Sequence, residues 1–358
     1  MKVCGSDGIV VCVEKTITFP GATDMSSVTL FVGLDYHQAF VQVCVMNEAG
    51  AVLGNRRCDN IATAIVEYVR GHGDHVIAAI EACCGAAALA DELIAAGWKL
   101  SLAHAGYVNK IKQSPDKTDW SDARLLADLI RVGYLPNVWL PPAQLRQLRH
   151  VVRYRQQLAQ ERRTAKLRVT ALLRTHRIEF QGSRWTKSWL AAVRDCQELG
   201  TEGKWVVGQL LDQINYLQKQ LDITEARLRE LTAQDVFVQK LLSYSGVGLI
   251  TAVMLRAELG DMSRFQSGKQ LSRFCGISPR NASSGPKQAD AGLIRAGNPQ
   301  LRTVLIEAAH RLQRCDPRWA ELGRQMRSRG KPGSLVAAAV ANRWVRWLYH
   351  QLTKIQVV

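Results

Sequence analysis

Two aspartates one helical turn apart, Asp119 and Asp122 in the run Lys117-Thr118-Asp119-Trp120-Ser121-Asp122-Ala123, are the residues of this chain best suited to chemistry. An i,i+3 pair points one way from one helix face. Two earlier acids, Asp35 and Glu81, each close an apolar run that reads as a β-strand. A carboxylate at a strand tip points into a crevice. Four such acids brought together would repel one another unless a cation stood between them, and hard divalent ions take oxygen ligands of this kind. The expectation is a metal-dependent phosphoryl-transfer site of the sort that cuts nucleic acid. Asp35, Glu81, Asp119 and Asp122 are its candidate ligands, with Mg²⁺ as cofactor and Mn²⁺ as a substitute. His37, two residues after Asp35, reads as a surface histidine at a strand edge.

Composition points to the partner. The 358 residues carry a formal net charge of +16, a field that attracts polyanions whatever the fold. Half of that excess sits between Pro141 and Phe180, where ten Lys or Arg face only Glu161 and Glu179. Arg146, Arg149, Arg153, Arg155, Arg162, Arg163, Lys166 and Arg168 are the candidate phosphate contacts there. Arginine favours bidentate phosphate contacts, so nucleic acid is a better partner for this stretch than a membrane surface. Nine cysteines show no zinc spacing, which fits reduced thiols in a cytoplasmic protein. No run of about 18 uncharged apolar residues is present, so no membrane span is expected.

The elements that would position the acids follow from periodicity. Val28–Asp35 is a buried strand, Phe40–Met46 alternates, and Asn47-Glu48-Ala49-Gly50 turns into Ala51–Gly54, a β-meander. A helix over Ile61–Arg70, a strand over His75–Glu81, a helix over Ala86–Ala96 closed by Gly97 and a strand over Lys99–Ala103 follow. Asp119 and Asp122 open the next helix. This order is that of a ribonuclease H-like fold. Residues 141–235 read as long helices, with a heptad seam of Val207, Leu210, Ile214, Leu217, Leu221, Thr224, Leu228 and Leu231. Such a seam associates with another helix, in the same chain or in a second copy. From Leu241 onward, Gly246 and Gly248 allow a tight turn between helices whose N–H groups could meet a phosphate, as in helix-hairpin-helix DNA binders. A loop with Ser283, Ser284, Gly285 and Lys287 and a helix start at Arg295-Ala296-Gly297-Asn298-Pro299-Gln300-Leu301-Arg302 complete the motifs. Trp344 and Trp347 read as core.

Ordered along one chain, Gly33-Leu34-Asp35, Glu81, Lys117-Thr118-Asp119-x-x-Asp122-Ala123, Gly276-x-x-Pro279, Ser284-Gly285 and Gly297-Asn298-x-x-Leu301-Arg302 form a specific pattern. The chain resembles the transposases of insertion-sequence families 110 and 1111, the Asp-Glu-Asp-Asp recombinases related to pilin-gene invertases, from about Val28 to Leu312. The resemblance implies an α/β plus α architecture. Residues 1–27 would be an N-terminal extension, with Met25 as a possible start, and 28–138 a RuvC-like domain. Residues 139–235 would be a basic coiled-coil middle and 236–358 a mostly helical transposase domain. It also implies that Ser284 is the nucleophile, that a structured RNA from the element guides the choice of donor and target DNA, and that the protein acts in the nucleoid region. Lys287, Arg295, Asn298 and Arg302 join Gly246 and Gly248 as implied nucleic-acid contacts. Ala296 stands where the family usually carries Arg, and the segment from Lys287 to Ala291 is less basic than usual.

Three functions fit these residues. The first is a DNA recombinase acting through a phosphoserine link, as a homodimer and, on DNA, a tetramer, since exchange between two duplexes cuts four strands. The second is a metal-only nuclease resembling a Holliday-junction resolvase, in which Ser284 is incidental. The third is a non-catalytic RNA- or DNA-binding protein. No His or Asp pair near Ser284 resembles a catalytic triad, so its activation falls to the four acids.

Overall fold

Alternation along the first strand gives it two faces, and each face recruits its own helices. The computed structural model describes residues 29–112, 118–281, 290–294 and 297–354. The chain divides after Pro141 into two compact units.

The first unit runs β1 (Thr29–Tyr36), β2 (Phe40–Met46), β3 (Val52–Asp59), α1 (Ala62–Arg70), β4 (His75–Glu81), α2 (Ala86–Ala95), β5 (Lys99–Ala103), α3 (Ala105–Ile111), α4 (Asp119–Arg131) and β6 (Asn137–Val138). Its sheet has the order β3-β2-β1-β4-β5-β6. β1, β2 and β3 form the antiparallel meander, β4 pairs parallel to β1, and β5 parallel to β4. Leu30, Val32 and Leu34 of β1 pack with Ile65 and Val69 of α1 and Leu89 and Leu93 of α2. Phe31, on the opposite face, packs with Ala123 and Ala127 of α4. The short α3 and β6 are not legible in the periodicity.

Gly33 sets how close α4 comes to the sheet. A Cβ at that position would lie 1.9 Å from the Ala123 carbonyl oxygen and 2.5 Å from the Ala127 nitrogen. The small Ala123 and Ala127 complete the contact, and Asp35 follows on the same strand face. Gly33→Ala must therefore lift α4. An overpacked contact of this kind costs about 1–3 kcal/mol, so the urea midpoint of the first unit should fall with little change in slope. A midpoint equal to that of the unaltered protein would contradict the close approach.

The second unit begins with α5 (Ala143–Thr175), α6 (Lys187–Asp195) and α7 (Gly200–Leu231). α5 and α7 lie antiparallel. Leu158 packs with Leu217 and Leu221, and Ala165, Val169 and Leu173 pack with Val207, Leu211 and Ile214. The heptad seam is thus covered by a helix of the same chain, the first of the two partners the seam allows, and not by a second copy as an intermolecular coiled coil would require. A seam specifies a complementary helix without specifying whose. A helix of the same chain, tethered through the α6 segment, has a large effective concentration. Leu211 is buried where Leu210 was expected, and Leu231 is 45% exposed.

α8 (Val236–Leu242), α9 (Leu249–Leu259), α10 (Gly268–Phe274), β7 (Pro279–Asn281), β8 (Asp290–Leu293), α11 (Pro299–Cys315), α12 (Pro317–Ser328) and α13 (Gly333–Leu352) complete the chain. α9 is apolar almost all round and buried, and Trp344 is fully buried. Gly276 and Gly297 sit in the left-handed region, and a Cβ on Gly297 would lie 2.8 Å from the Gly276 nitrogen. The two glycine motifs are therefore pressed backbone to backbone beside the β7–β8 pair.

Candidate active site

Local sequence fixes where α4 starts. The Thr118 hydroxyl accepts from the Ser121 backbone N–H at 3.2 Å, and the Ser121 hydroxyl accepts from the Thr118 N–H at 3.3 Å. This reciprocal cap leaves Asp119 and Asp122 in the first turn, where the helix dipole favours negative charge. The meander then holds that turn. Gln42 Nε2 donates to Asn55 Oδ1 at 2.6 Å, and Asn55 Nδ2 donates to the Trp120 carbonyl at 3.0 Å.

Register supplies the rest. Asp35 pairs with Gln42, and Gln42 with Arg57, so the three stand in one row across β1, β2 and β3. On the other side, Leu34 pairs with Ile80, which brings Asp35 and Glu81 to the ends of neighbouring parallel strands. Asp35, Asp119 and His37 offer ligand atoms within 4.8 Å of one another. His37 Nε2 lies 3.2 Å from Asp35 Oδ2 and 3.4 Å from Asp119 Oδ1, its ring stacked on Phe40 at 4.6 Å. Glu81 and Asp122 are outside that trio among the described residues. Asp122 forms an ion pair with Lys112, and Asp119 one with Arg57 at 3.0 Å.

Burial pushes the Asp35 carboxyl above its usual range, and His37 partly offsets this; the charges of Asp122 and Asp119 raise it further. Asp119 and Asp122 thus act on Asp35 as like charges. The chain answers part of that repulsion with its own cations, Lys112, Arg57 and, when protonated, His37. Sequence reasoning did not place Lys112 or Arg57 at the site. For His37 a signal existed: an Asp-x-His spacing at a strand end puts both side chains on one face. Arg57 gave no such signal, because cross-strand register is not readable from one strand.

Oxygen donors in this arrangement, with one imidazole, suit a divalent cation. Side-chain cations would compete for it. Lys112→Met frees Asp122, so the divalent-ion concentration that half-maximally raises the melting temperature should fall roughly fivefold, given about 1 kcal/mol for a partly exposed ion pair. A midpoint that stays put or rises would show that Lys112 does not compete.

The basic stretch has a divided role. Arg149 Nε donates to the Ala257 carbonyl at 2.6 Å, and Arg153 Nη2 to buried Glu258 at 3.1 Å. Arg155 pairs with Glu225 at 2.6 Å, and Arg162 donates to Gln218. These four tie α5 to α7 and α9, leaving less of the charge excess facing outward than the count of ten implies. Arg163 and Arg168 are exposed, and Lys166 and Arg146 half-buried. Farther along, the Asn298 side chain caps α11, accepting from the Gln300 and Leu301 N–H groups at 2.9 and 3.2 Å. Arg302 donates to the Gly276 and Ile294 carbonyls at 2.8 and 2.9 Å. Gly246 takes φ +81° and gives its carbonyl to Arg311 at 3.1 Å, a packing role against α11. Gly248 is the N-cap residue of α9. Ser284 and Lys287, between β7 and β8, and Arg295 lie outside the described residues.

Two family models match this chain. The DEDD transposase model of IS110 elements matches residues 32–178, and the one described as transposase IS116/IS110/IS902 family matches residues 238–324. The chain belongs to the IS110 family of transposases. The first match holds all four acids, the second the glycine motifs and Ser284. The transposase of insertion element IS1111A from Coxiella burnetii is 24% identical over 95% of both chains. That of IS1328 from Yersinia enterocolitica is 27% identical over 90% of this chain and 96% of its own length. A putative transposase of Sinorhizobium fredii, y4qE, is 28% identical over 65% of this chain, and the match spans 64% of that relative. Among the described residues no helix is long and apolar enough to cross a membrane.

Proposed function

We propose that this IS110-family transposase is a DNA recombinase that cuts and exchanges strands through a transient phosphoserine link at Ser284. The single observation that carries the reading is the meeting of Asp35 and Asp119 at one end of the sheet, 3.2 and 3.4 Å from a shared imidazole. We read the first unit as ribonuclease H-like, on the strength of its strand order and the placement of its acids. The domain limits of 28–138, 139–235 and 236–358 belong to the same reading.

Asp35, Glu81, Asp119 and Asp122 would hold a divalent ion, Mg²⁺ or Mn²⁺, with His37 as a further donor. Such an ion, when bound, supplies Lewis-acid stabilisation of charge on the scissile phosphate. The rest is done by the chain. Arg57 and Lys112, paired with Asp119 and Asp122 in this structure, would be the side-chain donors placed to meet the phosphate oxygens once those carboxylates serve as ligands. The Ser284 Oγ–P bond replaces the broken P–O bond one for one, which keeps the phosphodiester energy and lets strands be resealed without ATP. Gly285 lets the backbone approach the phosphate closely.

An element-encoded RNA that chooses donor and target is supported by the charge of the chain and by the family. Dimers, and tetramers on DNA, follow from the four cuts that exchange requires. With the heptad seam covered by α5, the large apolar side chains exposed on α7, Trp205, Val206, Tyr216, Ile223 and Leu231, offer a surface for self-association. The test is strand cleavage of labelled element-end DNA by the purified full chain with its RNA. Cleavage is expected with Mg²⁺ or Mn²⁺ and not with EDTA. Equal cleavage in EDTA would remove the metal from the account.

A further inference from the structure

A cavity of about 520 Å³ opens on the outer side of α5, against the segment that leads into α6. Its volume is in the range of small-ligand pockets, about 300–1,000 Å³. Arg163, Lys166 and Arg174 reach it from α5 at spacings that share one helix face, and Arg184 and Trp185 close it from the other side. Four of the lining residues are cationic and none is acidic. Lys166 Nζ sits over the Trp185 ring at 4.7 Å from its centroid. Burial pushes the Lys166 ammonium below its usual range, and the neighbouring charge of Arg162 adds to this. Such a group gains from an anion.

Trp185 is held, not merely present. It takes φ +69°, in the left-handed region that bulky residues avoid. Its ring packs against Trp189 at 4.8 Å between centroids, and Trp189 is buried in the core shared by α5, α6 and α7. A strained backbone with a buried anchor keeps one indole face turned to a ring of cations. None of this contributes to the acid site in the first unit.

We propose that this cavity binds one unpaired nucleotide of a single-stranded nucleic acid, its base stacked on Trp185 and its flanking phosphates held by Arg163, Arg174 and Arg184. Lys166, on a flexible four-carbon stem, swings from the ring to a phosphate as the base enters. Every base has a π-face, so the site reads strandedness and not sequence. A base inside a duplex cannot reach the indole, whereas loops and ends can. The proposal rests on the reading that this protein handles nucleic acid.

The test measures equilibrium binding of the full chain to a labelled oligouridylate, an oligodeoxythymidylate and a duplex of the same length. Trp185→Ala should weaken single-strand binding on the order of tenfold and leave duplex binding unchanged, with Trp185→Phe retaining most of the affinity. Because Trp185→Ala removes a contact to Trp189, a second variant is needed. The exposed pair Arg174→Glu and Arg184→Glu should weaken the same two ligands and reduce the salt slope by about two. A loss for both RNA and DNA assigns base and phosphate, and a loss for one alone names the strand that occupies the cavity. Unchanged single-strand affinity in both variants, or an equal loss for the duplex, overturns the nucleotide site while leaving the recombinase reading intact. An unaltered protein that binds none of the three would overturn both.

Discussion

Asp35→Asn should lower strand cleavage and exchange by about three orders of magnitude, because a bound cation contributes several kcal/mol of charge stabilisation at a phosphate and this substitution removes its central ligand. The fold should survive. In the folded protein burial raises the Asp35 carboxyl above its ordinary value. A raised carboxyl contributes stability that is present below its unfolded value and lost as pH rises through the folded one. Once pH has risen through the folded value, that contribution is gone. A neutral amide of the same shape removes the repulsion from Asp119 and Asp122, so in EDTA the variant should melt at or above the temperature of the unaltered chain. Adding Mg²⁺ or Mn²⁺ should raise the melting temperature of the unaltered protein and not that of the variant. Asp119→Asn should behave alike in cleavage and ion response. A variant that keeps full exchange activity, or an equal ion response in both proteins, would separate Asp35 from the metal.

Ser284→Ala should bind RNA and DNA as before yet give neither cleavage nor a protein–DNA adduct, while Ser283→Ala retains both. The effect is expected to be all-or-none in the adduct, because an alanine has no atom that can bond phosphorus. Residual cleavage in Ser284→Ala that needs Mg²⁺ would identify water as the nucleophile and favour the resolvase alternative.

Much of the first unit was legible because its signals are local. The Thr29–Tyr36 and His75–Glu81 strands are short apolar runs with an acid at or near the end, and Gly97 ends a helix of regular period. The Asp119–Asp122 pair could be assigned to a helix start from its position ahead of Leu125, Leu126, Leu129 and Ile130. What could not be read depends on register or on choice of partner. Arg57 reaches Asp119 only because β3 pairs with β2 in one register, and a shift of one residue would send its side chain to the other face. Lys112 reaches Asp122 through α3, a helix of seven residues with little periodicity of its own. The heptad seam was read correctly as a buried stripe, but its partner was not in its own sequence. Arg149, Arg153 and Arg155 illustrate the same limit: a charge count cannot tell a solvent-facing arginine from one that ties two helices together through Glu258 or Glu225. Trp185 gave no signal in advance, since a single indole in a basic segment looks like any other aromatic residue until its backbone and its neighbours are known.

A metal-dependent covalent step would leave DNA attached to one serine, and peptide mapping detects that attachment. The full chain with its RNA is allowed to react with element-end DNA labelled beside the cleavage site, then denatured, stripped of DNA by nuclease and digested for peptide mapping. Label is expected on the peptide that contains Ser284, present with Mg²⁺ and absent with EDTA or in Asp35→Asn. Cleaved DNA with no labelled peptide, or label on a different residue, would contradict it.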